Sequence, residues 1–308
     1  MFLHSEVVII IFVVVILFMC FQCMQYRRLF NSSTITLGPT HAKKAVCQGH
    51  DVELLHNFGF FSNCSVALRE IINYIHDNNS IPLRIESKNS FTEYKSENAT
   101  LSEWFVNPEN ALSQILQKNI QQTQSNNDIF QHWFENDPYT FNVEAFQMLI
   151  HTYFKPNDEI EHLKNSLKSK YNIDPSNTLF LYLRGTDKAI EMSKTPEEIM
   201  IQKCKDLQNN LNIIVQSDEP TFIERVKNEC INVIHIEELE TRGHNDIIGR
   251  NRHSKVLLAC TLIASECNTI IMTTGNVSLW MLLYRGHNTN VHQYYHPHHK
   301  EIGQFVNN

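Results

Sequence analysis

The sequence has only nine Gly and nine Pro in 308 residues, which excludes collagen-like and Pro/Gly-rich low-complexity chains. It contains no G-x-G-x-x-G and no G-x-x-x-x-G-K-[ST], so both common Gly-rich phosphate-binding fingerprints are missing. No basic block occurs. Lys and Arg total 26 against 33 Asp and Glu, the net charge is -7 and the pI about 6.1, so nucleic acid is not an expected partner. The soluble body lacks C-x-x-C, and no zinc site is expected.

What is present is a globular composition, 42% hydrophobic and 19% charged, long enough for two domains. Residues Val7 to Cys23 form an almost wholly apolar run, close to the roughly 20 residues that span a bilayer. A cleaved signal peptide is the alternative, but no Lys or Arg precedes the run and no small-x-small site follows it. The expected organisation is a short tail at 1–6, a transmembrane anchor at 7–24 and a polar stem at 25–45. Arg27 and Arg28 follow the span, with Lys43 and Lys44 beyond, and the positive-inside rule would place the body in the cytosol. Sequons at Asn31, Asn63, Asn78, Asn98 and Asn276 give weak support to a lumenal body. Cys47, Cys64, Cys204, Cys230, Cys260 and Cys267 lie outside the span. Cys260 and Cys267 share one predicted helix, too far apart along it to pair.

Periodicity gives a thin reading of 46–174 and a clear one of 175–308. In the first part, Val52–Leu55 and Ile81–Ile85 read as strands, and Ser65–His76, Phe141–Phe154 and Glu159–Tyr171 as helices. In the second, strands are expected at Leu179–Leu183, Asn212–Val215, Ile231–Ile236, Thr269–Met272 and Asn290–Tyr294. Between them fall helices from the capping boxes at Thr195 and Thr221, then His253–Cys267, then Val277–Tyr284 ended by Gly286. This alternation predicts an α/β fold with a parallel sheet covered on both faces, whose ligands sit beyond the carboxyl ends of the strands.

Three strand ends carry candidate chemistry. Arg184-Gly185-Thr186-Asp187-Lys188 follows the first strand, and an Arg there can fork onto a diphosphate while Gly185 permits close approach. A plain salt-bridged loop explains the same residues. Gln216-Ser217-Asp218 follows the second, and the Asp218 carboxylate could accept from a base or ribose, or simply sit in a turn. Thr273-Thr274-Gly275-Asn276-Val277-Ser278 leads into a helix and could cradle a phosphate, or only cap that helix.

Taken together, LRGTDK, VQSDEP and the TTGNVSLW loop resemble the fucosyltransferase superfamily, in the branch of alpha-1,6-fucosyltransferases and nodulation fucosyltransferases. In that branch a strand ends in His-x-Arg-Arg-Thr-Asp, a later strand in an Asp, and a Ser-rich loop precedes the penultimate helix. The segment Asn57-Phe-Gly-Phe-Phe-Ser-Asn63 resembles its Gly-containing first loop. The resemblance covers about 46 to 300, firmly from 179 to 285. It implies a GT-B-like fold of two Rossmann-like domains: an acceptor-side domain at 46–174 and a nucleotide-sugar-binding domain at 175–308. It implies inverting, metal-independent transfer from a nucleoside diphosphate sugar, GDP-fucose in the family, to a glycan or glycoprotein, with no cofactor. By motif position Arg184 would bind the diphosphate and Asp218 the base or ribose, with Gly185, Thr186, Lys188, Thr274, Gly275, Asn276 and Ser278 around the donor. Asn57, Gly59, Ser62 and Asn63 would form the acceptor-side loop. Asp187 is the candidate base beside Arg184. The absence of D-x-D argues independently against a metal-chelating GT-A enzyme.

The sequence departs from the family pattern at Tyr182, where the family has His, at Gly185, where it has a second Arg, and at Thr274-Gly275, where it has Ser-Ser. These departures motivate a rival reading, a catalytically inactive membrane-tethered protein that binds a sugar or nucleotide sugar on the same fold. A Golgi- or ER-type location with a lumenal body follows from the transferase reading, against the topology that Arg27 and Arg28 favour. Arg242, Arg250 and Arg252, with His244, read as a solvated basic loop, and His292, His296, His298 and His299 as an exposed tail.

Overall fold

The structure, a computed structural model, describes residues 45–48, 51–78, 80–96, 99–106, 143–185, 196–239, 249–295 and 300–302. The expected span at 7–24 and the stem up to residue 44 lie outside the described residues, as do Trp133, Thr186, Asp187, Lys188, Thr195, Arg242, His244 and the histidines at 296, 298 and 299. Among the described residues no helix is long and apolar enough to cross a membrane.

The centre is a six-stranded sheet of order β6-β5-β4-β7-β8-β9. Its strands are β4 (Thr178–Leu183), β5 (Asn212–Ser217), β6 (Val233–Ile234), β7 (Thr269–Thr273), β8 (Val291–Tyr295) and β9 (Lys300–Ile302). The first five are parallel and β9 runs antiparallel to β8. Every residue of β4 and β7 is buried, as expected of central parallel strands covered on both faces. Alternate side chains of β4 divide between two cores. Leu179, Leu181 and Leu183 pack with Met200, Ile201, Phe222 and Val226, while Phe180 and Tyr182 join the larger cluster with Leu258, Trp280 and Met281. The period of two thus sends successive residues to helices on opposite faces. The helices α4 (Glu197–Gln208) and α5 (Pro220–Glu229) cover one face, and α6 (Arg250–Glu266) and α7 (Asn276–Arg285) the other.

The remaining elements are β1 (Ala45–Gln48), β2 (Asp51–Leu54), α1 (Phe60–Asn78), β3 (Arg84–Glu86), α2 (Gln147–Tyr153) and α3 (Asp158–Lys170). Their small sheet pairs β2 parallel to β3 but antiparallel to β1. Among the described residues it is a mixed three-stranded sheet, in the part expected to be the first of two Rossmann-like domains. Lys44–Asn308 forms one compact unit, and one hydrophobic cluster runs from Val52 to Val291. The residues on either side of position 175 therefore share a core. Much of it is aromatic: Phe60 meets Phe61, Phe91 and Trp104 edge-on, and Phe154 meets Trp280 with ring centroids 4.7 Å apart. Trp104, in the stretch least readable from sequence, is fully buried and its indole N–H donates to Ser254 Oγ at 3.0 Å.

Several boundaries differ from the periodicity. The α1 helix starts at Phe60 rather than Ser65, because Phe60 and Phe61 belong to the aromatic core and Asn63 ties the entry turn: its Oδ1 accepts from Phe58 N at 2.9 Å. The capping box expected at Thr221 does not form, since Pro220 occupies the first helical position with Glu219 before it and Thr221 lies inside the helix. Pro196 precedes α4 without a side-chain cap. The Phe141–Phe154 helix is a 3-10 turn at Val143–Phe146 followed by α2, and β6 is two residues long where six were expected. The end of α7 at Gly286 is as read, with φ +77 and its N–H donating to Leu282 O.

Candidate functional site

The chain builds β4, moves outward through β5 to β6, then returns to place β7 on the other side of β4. The strand order therefore reverses between β4 and β7, and the crevice beyond their carboxyl ends is where open α/β sheets bind ligands. Arg184 ends β4 on one bank and the Thr273–Ser278 turn ends β7 on the other. The two are stitched together, since Arg184 N donates to Thr273 Oγ1 at 3.0 Å.

The β4 bank offers a side-chain cation. Arg184 is about one-third exposed, and its Nε lies 3.7 Å from Asp218 Oδ2. The other oxygen, Asp218 Oδ1, accepts from Gly185 N at 2.7 Å. Asp218, at the adjacent end of β5, thus clamps the loop that carries Arg184 and fixes the guanidinium by charge and by backbone. Gly185 has a local reason: a Cβ there would collide with the carboxyl end of Glu219. Glu219 fills the space beside β4 from which a second Arg side chain would grow.

The β7 bank differs. Thr274 is buried, and its hydroxyl donates to Tyr294 O at 3.2 Å while accepting from Gln293 Nε2 at 2.6 Å. Ser278 is fully buried and its hydroxyl donates to Thr273 O. Both hydroxyl protons are directed to backbone carbonyls rather than into the crevice. They hold the turn against β8. What the turn presents is the start of α7, preceded by Gly275 with no side-chain cap. The helix positive end and its first N–H groups face the crevice end of the sheet. Gly275 is extended, at φ 171 and ψ 172, and nothing lies within 4 Å of where its Cβ would be. Its backbone does not demand glycine and the space beside it is open. Asn276 opens α7 and its Oδ1 accepts from Ser65 Oγ of α1 at 3.0 Å.

The N-terminal loop reaches this neighbourhood through Tyr94. Burial raises the pKa of its phenol, against the Phe60 backbone and the charge of Arg184, which act to lower it. Arg250, at the start of α6, is ion-paired with Glu93 and lies 6.0 Å from the Tyr94 ring centre, its side chain only 11% exposed. It is not part of a solvated loop, in contrast to the sequence reading. Of the acceptor-side residues, Asn57 exchanges two hydrogen bonds with Thr92, and Ser62 Oγ is 3.0 Å from His56 Nε2. Asn63 is fully buried with both ends of its amide bonded to Phe58, so the folded chain cannot carry a glycan there. Gly59 has open space around it. Asn78 is an exposed sequon, whereas Asn31 and Asn98 lie outside the described residues.

Sequence reasoning missed Ser65, Tyr94, Glu219 and Gln293. Only Glu219 carried a local signal, as the neighbour of Asp218. The others are brought in by tertiary packing. His292, read as part of an exposed tail, is buried in β8. Among the described residues no group of His, Cys, Asp or Glu is arranged to hold a metal ion. Cys204, Cys230, Cys260 and Cys267 are buried free thiols.

No protein-family model matches the sequence, and no curated protein does. Among solved structures, the chain is similar to NodZ alpha-1,6-fucosyltransferase soaked with GDP-fucose, at 14% identity and TM-score 0.36, over half of each chain. It is similar to the same enzyme co-crystallized with GDP, at 11% identity and TM-score 0.48, over 79% of this chain and 94% of that one. It is also similar to fucosyltransferase NodZ from Bradyrhizobium, at 13% identity and TM-score 0.46, with the same coverage.

Proposed function

We propose that this chain is a membrane-anchored glycosyltransferase that takes its donor, a nucleoside diphosphate sugar, in the crevice between β4 and β7. The observation that carries the reading is the pairing of Arg184 with the uncapped start of α7 across the switch point of a doubly wound sheet. A diphosphate there meets a planar cation on one side and helix N–H groups on the other. Charge-assisted bonds of this kind contribute about 1.5–3 kcal/mol each. The same groups would stabilise the charge that develops on the departing nucleoside diphosphate, so that transfer needs no metal. The resemblance set out from the sequence supplies the rest: GDP-fucose as the donor, inversion at the sugar carbon and a glycan or glycoprotein acceptor. Asn57, Gly59 and Ser62 lie on the acceptor side, and Thr186 and Lys188 beside the donor. Asp187 is the proposed base, taking the acceptor proton as the new bond forms. Anchoring through 7–24, with the body in the lumen of the ER or Golgi, belongs to the same proposal.

Thermal unfolding of the full-length chain with GDP, UDP, CMP and their sugar conjugates tests it. A ligand at 100 times its dissociation constant stabilises by about 2.7 kcal/mol. A shift with GDP and GDP-fucose supports the reading, and a shift with UDP alone moves the donor to another sugar. With a folded sample, no shift for any nucleotide contradicts it.

A second reading is motivated by Gly185 and Glu219, which put a carboxylate where the family places a second cation. Under it the fold binds a nucleotide sugar without transferring it. Release of nucleoside diphosphate from the bound sugar nucleotide in the presence of candidate acceptors separates the two.

A further inference from the structure

Asn276 stands at the first position of α7, and one turn later Trp280 is fully buried. The indole ring is held by Phe61, Phe154 and Tyr284, with centroid distances of 5.8, 4.7 and 5.7 Å. Its N–H can only donate. It donates to Ser65 Oγ at 2.9 Å. Ser65, on α1, is itself buried, and among the described residues its hydroxyl proton has one acceptor, Asn276 Oδ1 at 3.0 Å. The relay therefore has a direction, from Trp280 to Ser65 to Asn276. Because the amide receives a proton on its oxygen side, its NH2 is turned the other way. That nitrogen has no partner among the described residues and is not among the buried unsatisfied atoms.

We infer that Ser65, held by Trp280, is a positioning residue for phosphate binding: it locks the Asn276 amide with its NH2 outward beside the first N–H groups of α7. The first turn then presents side-chain and backbone donors together to an anionic oxygen, which the Thr274 and Ser278 hydroxyls cannot do. The inference rests on the proposed diphosphate site. It also makes α1 a contributor to the donor side, through a residue 211 positions from its partner in the chain.

Titration calorimetry with GDP on the full-length chain tests it, using wild type, Ser65→Ala, Ser65→Thr, Asn276→Ala and the Ser65→Ala/Asn276→Ala double variant. Ser65→Ala should weaken GDP binding about tenfold, the scale of one hydrogen bond to a charged group. Ser65→Thr, which keeps the hydroxyl, should restore affinity to within about twofold of wild type. In the Asn276→Ala background the Ser65→Ala change should cost nothing further, because its effect passes through the amide. If Ser65→Ala fails to fold, Trp280→Phe keeps an aromatic ring and deletes the donor, and should also weaken GDP binding several-fold. Wild-type affinity in Ser65→Ala, or the same loss with and without Asn276, overturns the inference while leaving the diphosphate site intact. Absence of binding by wild type to GDP, UDP or CMP overturns both.

Discussion

The two banks of the crevice solve one problem with different materials. On the β4 side the crevice presents a charged side chain held by its neighbours: Asp218 clamps the loop and Gly185 makes room for Glu219. On the β7 side the polar side chains are mostly spent inside the protein. Thr274 and Ser278 bind carbonyls, Gln293 binds Thr274, and what is left for the proposed diphosphate is the backbone of α7 and one amide. Side-chain chemistry is visible in a sequence, whereas donors supplied by backbone and geometry are not.

The contrast predicts unequal responses to mutation. Removing the clamp with Asp218→Ala frees the Arg184 loop and should weaken GDP binding about tenfold or more, with modest loss of stability because the pair is partly exposed. Calorimetry beside thermal unfolding would show it. Gly185→Ala pushes against a movable Glu219 side chain, so the expected cost is a several-fold loss of affinity in a folded protein, relieved when Glu219→Ala is added. Thr274→Val should do the reverse of both. It strands the Gln293 amide and should lower stability by about 1–3 kcal/mol, while nucleotide affinity in the folded protein stays within about twofold. A large loss of affinity with unchanged stability would mean that the hydroxyl faces the ligand after all. Gly275→Ser should be the mildest, since the backbone is extended and the space open: unchanged or slightly higher stability and no loss of affinity.

Acid separates scaffold from site. Burial raises the Glu103 pKa, but the Ser96 N–H, the Asn251 amide, the Ser96 hydroxyl and Lys255 outweigh it and hold the carboxyl below its ordinary value. Glu266 behaves alike between Lys164 and Lys168. Depressed carboxylates contribute stability that is fully present above their unfolded value of about 4.3 and is lost as pH falls through the lower folded value. The melting temperature should hold from pH 7 to about 5 and drop below that, and Glu103→Gln should flatten part of the drop. An unchanged acid limb in that variant would remove Glu103 from the account.

Much of the C-terminal half was legible because each strand is short, apolar and bounded by turn residues, and because Gly286 and Pro220 punctuate the helices. Strand ends then located Arg184, Asp218 and the Thr273–Ser278 turn without a structure. The roles within the turn were not legible. Nothing local distinguishes a Thr whose hydroxyl faces a ligand from one whose hydroxyl meets Tyr294 O twenty residues later. The N-terminal half resisted for another reason. Its helix and turns are set by an aromatic core drawn from Phe60, Phe91, Trp104, Phe154 and Trp280, whose contacts cross most of the chain and leave no period. Ser65 belongs to that core and read only as one more helix position.

The proposed diphosphate lies between Arg184 and the start of α7. Calorimetric titration of wild type and Arg184→Ala with GDP, at matched folding by circular dichroism, tests it most directly. Wild type should bind measurably and the variant should lose about 10- to 100-fold in affinity, the scale of one or two charge-assisted hydrogen bonds. Equal affinity in the two folded proteins would contradict it.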